Sequence, residues 1–253
     1  MADPDMSDTI RLLDELAANA WPAVVQQGLD GWRLRASDGV TRRANSVLSA
    51  GRGPAYSGWL GDVESFYRRR HLPVRFQISP ASPPELDSFL QEQGYRVDAE
   101  TSVMAATTAT VCERTRGASR FSLHANGGIT ARWLDAFLSI ERFPEDRLPA
   151  YERILGSIGP PACFALLHDG PQDVGVGMSV AERGWAGIFC VATGEKHRRQ
   201  GVAKQIMSAL ADWSQDQGAR NLYLQVVATN APAVSLYSKL AFSHLYSYHY
   251  REK

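Results

Sequence analysis

Apolar residues recur at helical spacing over residues 8–20, where Ile10, Leu12, Leu13, Leu16 and Ala17 precede a stop at Trp21-Pro22. The pattern then becomes strand-like at 32–36 and 45–48, around the turn signal Ser37-Asp38-Gly39. A helix is predicted over 62–70, a strand over 74–78, a helix over 84–93 that Gly94 stops, and a returning strand over 101–106. Residues 107–118, TTATVCERTRGA, are polar and nearly aperiodic and read as a linker. Beyond them, 129–140 and 150–158 have helical patterns. Three strands follow at 163–167, 175–180 and 187–191, with turns at Asp169-Gly170 and Arg183-Gly184. A helix over 201–217 places Val202, Ile206, Leu210 and Trp213 on one face. A strand (222–227), a helix (231–240) and a last strand (243–250) complete the chain. This order predicts an α/β fold with a mixed sheet covered by helices. It divides into an N-terminal domain, 1–106, the linker 107–118, and a C-terminal domain, 119–253.

An internal echo links the two parts. Residues 74–95 and 222–242 each run strand, proline-containing turn, helix and aromatic stop, with Gln77 matching Gln225, Pro84 matching Pro232 and Tyr95 matching Phe242 after a one-residue shift. A repeated half-fold and two ordinary strand–helix units both fit this pattern.

Composition narrows the chemistry. The 253 residues are 44% apolar and 21% charged, with no formal net charge, so nothing draws the whole chain to nucleic acid or to an anionic membrane. Any positive site must be local. Cys112, Cys163 and Cys190 are odd in number and lack metal-ligand spacing, which predicts neither a disulfide framework nor a metal site. The N-terminal residues lack a basic leader, and no apolar run nears the roughly 18 residues of a membrane span. A cytoplasmic location is the resulting expectation.

The strongest local signal lies in residues 188–207, IFCVATGEKHRRQGVAKQIM, where an apolar strand passes through a short polar loop into a helix. Unpaired N–H groups and the helix dipole make such a start suited to phosphate. Gly201 and Ala203 leave room for close backbone approach, while Lys196, Arg198, Arg199 and Lys204 add charge. A merely solvated basic helix start would cost about 0.3–1 kcal/mol for each cation, with nothing to offset it unless an anion binds.

Arg198-Arg199-Gln200-Gly201-Val202-Ala203 matches the [Gln/Arg]-x-x-Gly-x-[Gly/Ala] signature of the GNAT superfamily of acyl-CoA N-acyltransferases, which this chain resembles over about 163–250. Asn230 and Ser235-Leu236-Tyr237-Ser238-Lys239-Leu240-Ala241-Phe242 continue the likeness, with alanine at 241 where glycine is common. Arg43-Ala44-Asn45-Ser46-Val47-Leu48 resembles bacterial tandem members, whose first half is a degenerate copy. The resemblance implies a mixed, mostly antiparallel central sheet flanked by helices, in two GNAT-like halves. It further implies acetyl-CoA as acyl donor, with no metal. Phe189, Cys190 and Val191 would pair with pantetheine, and the Val191 amide would donate to the thioester oxygen. Arg198, Arg199, Gln200, Gly201, Val202, Ala203 and Lys204 would hold the pyrophosphate. Asn230 would contact the cofactor arm, and Tyr237 would contact the cofactor and protonate the departing thiolate.

Residue by residue, plainer roles also fit: packing for Tyr237, helix capping for Asn230, strand filling for Cys190. The strand at 187–191 carries no glutamate, so the general base stays open among Glu182, His244, Tyr246, Tyr248, His249 and a water-mediated route. The implied function is acetyl transfer to a primary amine of a small molecule by direct attack in a ternary complex, and the aromatic residues of the tail and the acidic loop 141–146 are the expected lining for a cationic amine. A CoA-binding sensor without turnover and a transferase for a larger acyl-CoA are the alternatives. The expected state is a monomer or a homodimer.

Overall fold

The computed structural model describes residues 4–117 and 119–253, and the chain divides into two units, Met1–Val103 with Tyr246–Lys253, and Met104–Leu245. In the first unit the strand order is β1 (Val25–Leu29), β2 (Trp32–Ala36), β3 (Val47–Leu48), β4 (Arg75–Ile78) and β11 (Ser243–Glu252), all neighbours antiparallel except the parallel pair β3–β4. Helices α1 (Pro4–Ala20), α2 (Trp59–Arg68) and α3 (Leu86–Glu92) belong to this unit. Leu34, Val47, Val63, Phe66, Phe76 and Leu90 form its apolar core. Strand β5 (Arg96–Thr107) carries the chain from the first unit into the second.

The Arg43–Leu48 stretch acts structurally. The fully buried Asn45 side chain accepts from the Ser37 and Gly39 amides (2.7 and 3.0 Å) and donates to the Ser37 and Thr41 carbonyls (3.1 and 2.7 Å). All its hydrogen-bonding capacity is thereby spent on holding one loop. Ser46 accepts from the buried Arg35 guanidinium at 2.9 Å, and Arg35 donates to Gln77 Oε1, also at 2.9 Å.

Asp14 points inward from α1, accepting from Ser79 Oγ (2.6 Å) and Tyr246 Oη (2.8 Å). Burial raises its pKa from 3.8 to about 6, against the pull of the two hydroxyls and Arg35. A carboxyl whose folded pKa lies above its unfolded value contributes stability that is complete below about pH 3.8 and lost as pH rises through about 6. The shift corresponds to roughly 3 kcal/mol. In Asp14→Asn no charge is buried, so the stability difference between the variant and wild type is expected to change in the variant's favour by about that amount between pH 4 and pH 7. Urea denaturation of both proteins across this range measures it, and parallel curves would refute the assignment.

The second unit orders β10 (Asn221–Val227), β9 (Trp185–Thr193), β8 (Gln172–Glu182), β7 (Ala162–Asp169) and β6 (Ser122–Asn126), antiparallel except for β9–β10. Helices α4 (Thr108–Thr115), α5 (Ala131–Glu141), α6 (Leu148–Gly156), α7 (Val202–Asp216) and α8 (Ala231–Lys239) complete it. Helix α7 sits directly on β8, because two glycines let it. A Cβ at Gly175 would lie 2.4 Å from Val202 Cγ1, and one at Gly177 would lie 2.4 Å from Ile206 Cγ2.

Three expectations need correction. The stretch read as a linker contains α4, N-capped by Thr107, whose side chain accepts from the Thr110 amide, with Val111 fully buried in the second core. Its apolar face is too narrow to register as periodic. Strands β1 and β6 were not predicted: Ser122–Asn126 is exposed throughout and β1 nearly so, so neither shows burial alternation. Finally, Tyr246–Lys253 belongs to the first unit, since His249–Glu252 pairs antiparallel with Ile78–Arg75.

The sequence echo corresponds to a shared local motif. Gly94 (φ +86°) and Ala241 (φ +70°) each leave their helix in the left-handed region, and the following Tyr95 and Phe242 are buried, with amides bonded to Leu90 and Tyr237 carbonyls at 3.0 Å. This is a helix-closing turn of Schellman type. Alanine at 241 carries a backbone cost of about 1–2 kcal/mol that glycine would not.

Candidate active site

Strand β9 is the centre of the site. Its parallel pairing with β10 runs from Trp185↔Asn221 to Ile188↔Leu224, after which both strands continue outside this ladder. Immediately past that point β9 bulges against β8. Phe189 faces Met178 and Ala192 faces Val176, so Cys190 and Val191 together oppose Gly177, and Cys190 adopts φ +54°. A bulge turns backbone groups out of the regular ladder, here at the residues expected to meet the thioester. Phe189 is buried, with its ring edge-on to Tyr223 at 6.0 Å, while Cys190 and Val191 are half-buried.

Beyond β9, a turn at Glu195–His197 leads into α7. Arg199 (φ +61°) and Gly201 (φ +89°) both take left-handed backbone, and Gly201 is the N-cap of α7. The first helical bond runs from the Gln205 amide to the Gly201 carbonyl (2.9 Å), so the amides of Val202, Ala203 and Lys204 have no intrahelical acceptor. Arg198, Arg199, Gln200, Gly201 and Lys204 are exposed, Ala203 is half-buried, and Val202 anchors the helix in the core. The Gln200 side chain donates to the Lys196 carbonyl at 2.8 Å, bracing the loop, and Arg142 pairs with Glu195. A row of amides without intrahelical acceptors, ringed by cations, suits a pyrophosphate.

On β10, Leu222, Leu224 and Val226 face the core, while Gln225 lies on the opposite face, past the end of the β9 ladder. Its Oε1 is buried and without a hydrogen-bond partner. Its counterpart in the echo, Gln77, spends the same atom on Arg35. A buried orphan acceptor at the end of the ladder, amides at the helix start and a bulged strand together suit an elongated ligand with amide N–H groups and a pyrophosphate, as acetyl-CoA has. Asn230 caps α8, accepting from the Ala233 amide at 3.3 Å. Tyr237 is half-buried against the second core, its ring 5.9 Å from Phe242.

Electrostatics tie these pieces to a part of the chain that the motifs do not include. Burial pushes the Tyr237 hydroxyl up to about 12, with added contributions from Cys190 and Glu141. Burial also raises Tyr151 to about 12, again with Cys190 and Glu141 contributing. Glu141 as a residue is exposed, yet desolvation around its carboxyl raises its pKa, with the Arg198 charge opposing. Tyr237, Tyr151, Cys190, Glu141 and Arg198 therefore share one electrostatic neighbourhood, although they come from five elements or loops. Phe143 stacks on Tyr151 at 5.6 Å beside it. No signal in the sequence tied Glu141 to Arg198, since the proximity is purely tertiary.

The base candidates are scattered. Tyr246 donates to Asp14, His249 bonds Asp87 at 2.8 Å, and Tyr248 packs on Tyr250, all within the first unit. Glu182 pairs with Arg183 at the end of β8, and His244 is exposed.

A family model described as "Probable histone acetyltransferase Rv0428c C-terminal" matches residues 7–251. "Uncharacterized N-acetyltransferase YobR" of Bacillus subtilis is 35% identical over 246 residues, which cover 97% of this chain and 99% of that protein. Among solved structures, a GCN5-related N-acetyltransferase from Kribbella flavida aligns over 100% of this chain and 96% of its own, with TM-score 0.69 and 13% identity. A tandem GNAT protein from the clavulanic acid biosynthesis pathway aligns over 79% of this chain and 70% of its own, with TM-score 0.65 and 13% identity. At such identities the structural likenesses speak to the fold.

Proposed function

The chain belongs to the family described as probable histone acetyltransferase Rv0428c C-terminal, and so to the GNAT superfamily of N-acetyltransferases, and on that premise we propose that it acetylates a primary amine of a small molecule by direct attack in a ternary complex. The observation that carries this reading is the shared neighbourhood of the β9 bulge, Tyr237 and Glu141. Bound acetyl-CoA would supply an activated acyl carbon: the ammonium loses one proton to water, the neutral nitrogen bonds to that carbon and the C–S bond breaks, and the second proton lost from nitrogen replaces the one that Tyr237 gives to sulfur.

The protein's own residues divide the remaining work. Amides of Val202, Ala203 and Lys204, with Arg198, Arg199 and Lys204 charge, hold the pyrophosphate, and Gly201 keeps the approach open. Phe189, Cys190 and Val191 align the pantetheine arm by backbone contacts, Gln200 braces the turn, and Asn230 fixes the start of α8 beside the arm. Aligning two reactants in this way lowers the barrier without any covalent intermediate on the protein. The Val191 amide donates to the negative charge that develops on the carbonyl oxygen. Tyr237, fully protonated at neutral pH, donates to the departing sulfur. Glu141 offers a carboxylate to an incoming cation, and the stacked Phe143–Tyr151 rings add a surface that favours positive charge.

Turnover of a panel of polyamines, aminosugars, amino acids and lysine peptides, followed by thiol release, tests the reading. With an accepted amine, Tyr237→Phe is expected to lower kcat about 100-fold, while leaving acetyl-CoA affinity little changed. Acetylation confined to the peptides would favour a protein acceptor, as the family description suggests, over a small molecule. Full activity in Tyr237→Phe would remove the acid from the mechanism.

A further inference from the structure

The first unit contains a cleft of about 810 Å³, whose lining residues all lie between Ser7 and Glu92. The residues proposed above for acetyl transfer are not among them. The volume is that of a small-molecule site, which spans about 300–1,000 Å³. Its aromatic wall is Trp32, Trp59 and Phe89, with Trp32 and Trp59 edge to face at 5.2 Å, and Trp59 and Phe89 tilted at 5.5 Å. Arg11 and Arg52 contribute exposed cations to the lining.

The decisive feature is Trp32. It is only 2% exposed, yet its indole Nε1 has no hydrogen-bond partner. Buried tryptophans ordinarily pair this N–H, and leaving a buried donor unmade costs about 1–3 kcal/mol. Gly53 packs closely on the ring: a Cβ at that position would lie 2.6 Å from Trp32 Cζ2. The same crowding bars any larger residue from position 53. Trp32 lines the cleft, so the unmet donor belongs to a residue of its wall.

We propose that this cleft binds a small planar aromatic carboxylate, its ring against Trp59 and Phe89, one carboxylate oxygen accepting from Trp32 Nε1, and Arg11 and Arg52 supplying opposite charge. Glu85 and Glu92 also line the cleft and would suit a cation. A cationic aromatic, however, has no acceptor to offer the indole N–H, and that favours the acid.

Calorimetric titration of the full chain with 2-naphthoate, and with 2-naphthylmethylammonium as the matched cation, tests the proposal. Saturable naphthoate binding is expected, weakened about tenfold in Trp32→Phe, as for one hydrogen bond to a charged acceptor. Arg52→Glu, at an exposed position, should weaken it at least as much. Ser88→Trp, exposed on α3, should abolish binding by filling the cleft while leaving the unfolding temperature unchanged. Excess acetyl-CoA should not compete. Absence of naphthoate binding, equal affinity in wild type and all three variants, or tighter binding of the cation would each overturn the proposal.

Discussion

Replacing Arg199 and Gly201 together by glutamate is expected to weaken acetyl-CoA binding by roughly a thousandfold, or about 4 kcal/mol, with the fold intact. Two independent losses add to this figure. Arg199 is exposed on the turn, and exchanging its charge removes a charge-assisted hydrogen bond worth about 1.5–3 kcal/mol and leaves an anion facing the phosphates. Gly201 holds φ +89° in open space, so a glutamate there puts a side chain and a second anion where the phosphates would sit, while its backbone strain of about 1–2 kcal/mol falls on stability and not on binding. Neither position is in the core, so circular dichroism should match wild type. Isothermal titration of acetyl-CoA into both proteins makes the comparison. Unchanged affinity would show that the turn does not hold the pyrophosphate, and no binding even to wild type would leave it as a site for another anion.

Gly177→Val is expected to destabilise the second unit by about 3 kcal/mol, the upper end of overpacking costs. For a chain of this size that is a fall in unfolding temperature of roughly 6–12 °C. The new Cβ alone would sit 2.4 Å from Ile206 Cγ2 and 3.0 Å from Leu210 Cδ1, both on fully buried residues of α7 with no room to yield. Relief can come only by lifting α7 from β8. Because α7 begins at Gly201, that movement should also weaken acetyl-CoA binding, although position 177 bears no side chain that could meet a ligand. Gly177 also faces the Cys190–Val191 bulge, with Val191 Cγ2 at 3.6 Å from the added atom. Differential scanning calorimetry and the acetyl-CoA titration on one sample separate the two effects. A variant as stable as wild type would mean that the packing of α7 on β8 is softer than its geometry implies.

Most elements followed from the chain itself, and those that did not share a physical cause. Strand β2 was legible because apolar Trp32, Leu34 and Ala36 alternate with Arg33 and Arg35, and helix α7 because burial of one face imposes period 3.6 on its residues. Strand β6 escaped because a fully exposed edge strand needs backbone pairing and nothing from its side chains. Helix α4 escaped because its buried residues, Thr108, Val111 and Thr115, are mostly polar in type, and Thr115 meets burial by donating to the Val111 carbonyl at 2.7 Å. The tail from Tyr246 onward reads as a strand, but no local pattern says which sheet receives it. That depends on pairing with Arg75–Ile78, more than 160 residues earlier.

The candidate site divides along the same line. The candidate phosphate turn is legible because what such a turn needs is local: a glycine, small neighbours, helix-start amides and clustered cations occupy seven consecutive positions, 198–204. Tyr237 and Asn230 are candidates through the GNAT resemblance, and Asn230 is the helix cap that its position before Ala231-Pro232 suggested. Only the folded chain could reveal the bulge at Cys190–Val191, since a bulge depends on the register of the opposing strand. Only the folded chain could place Glu141 near Arg198 and Tyr237, or leave Gln225 Oε1 and Trp32 Nε1 without a partner. Local backbone chemistry is written in neighbouring residues, whereas charge proximity, burial of a single atom and strand register arise when distant segments meet.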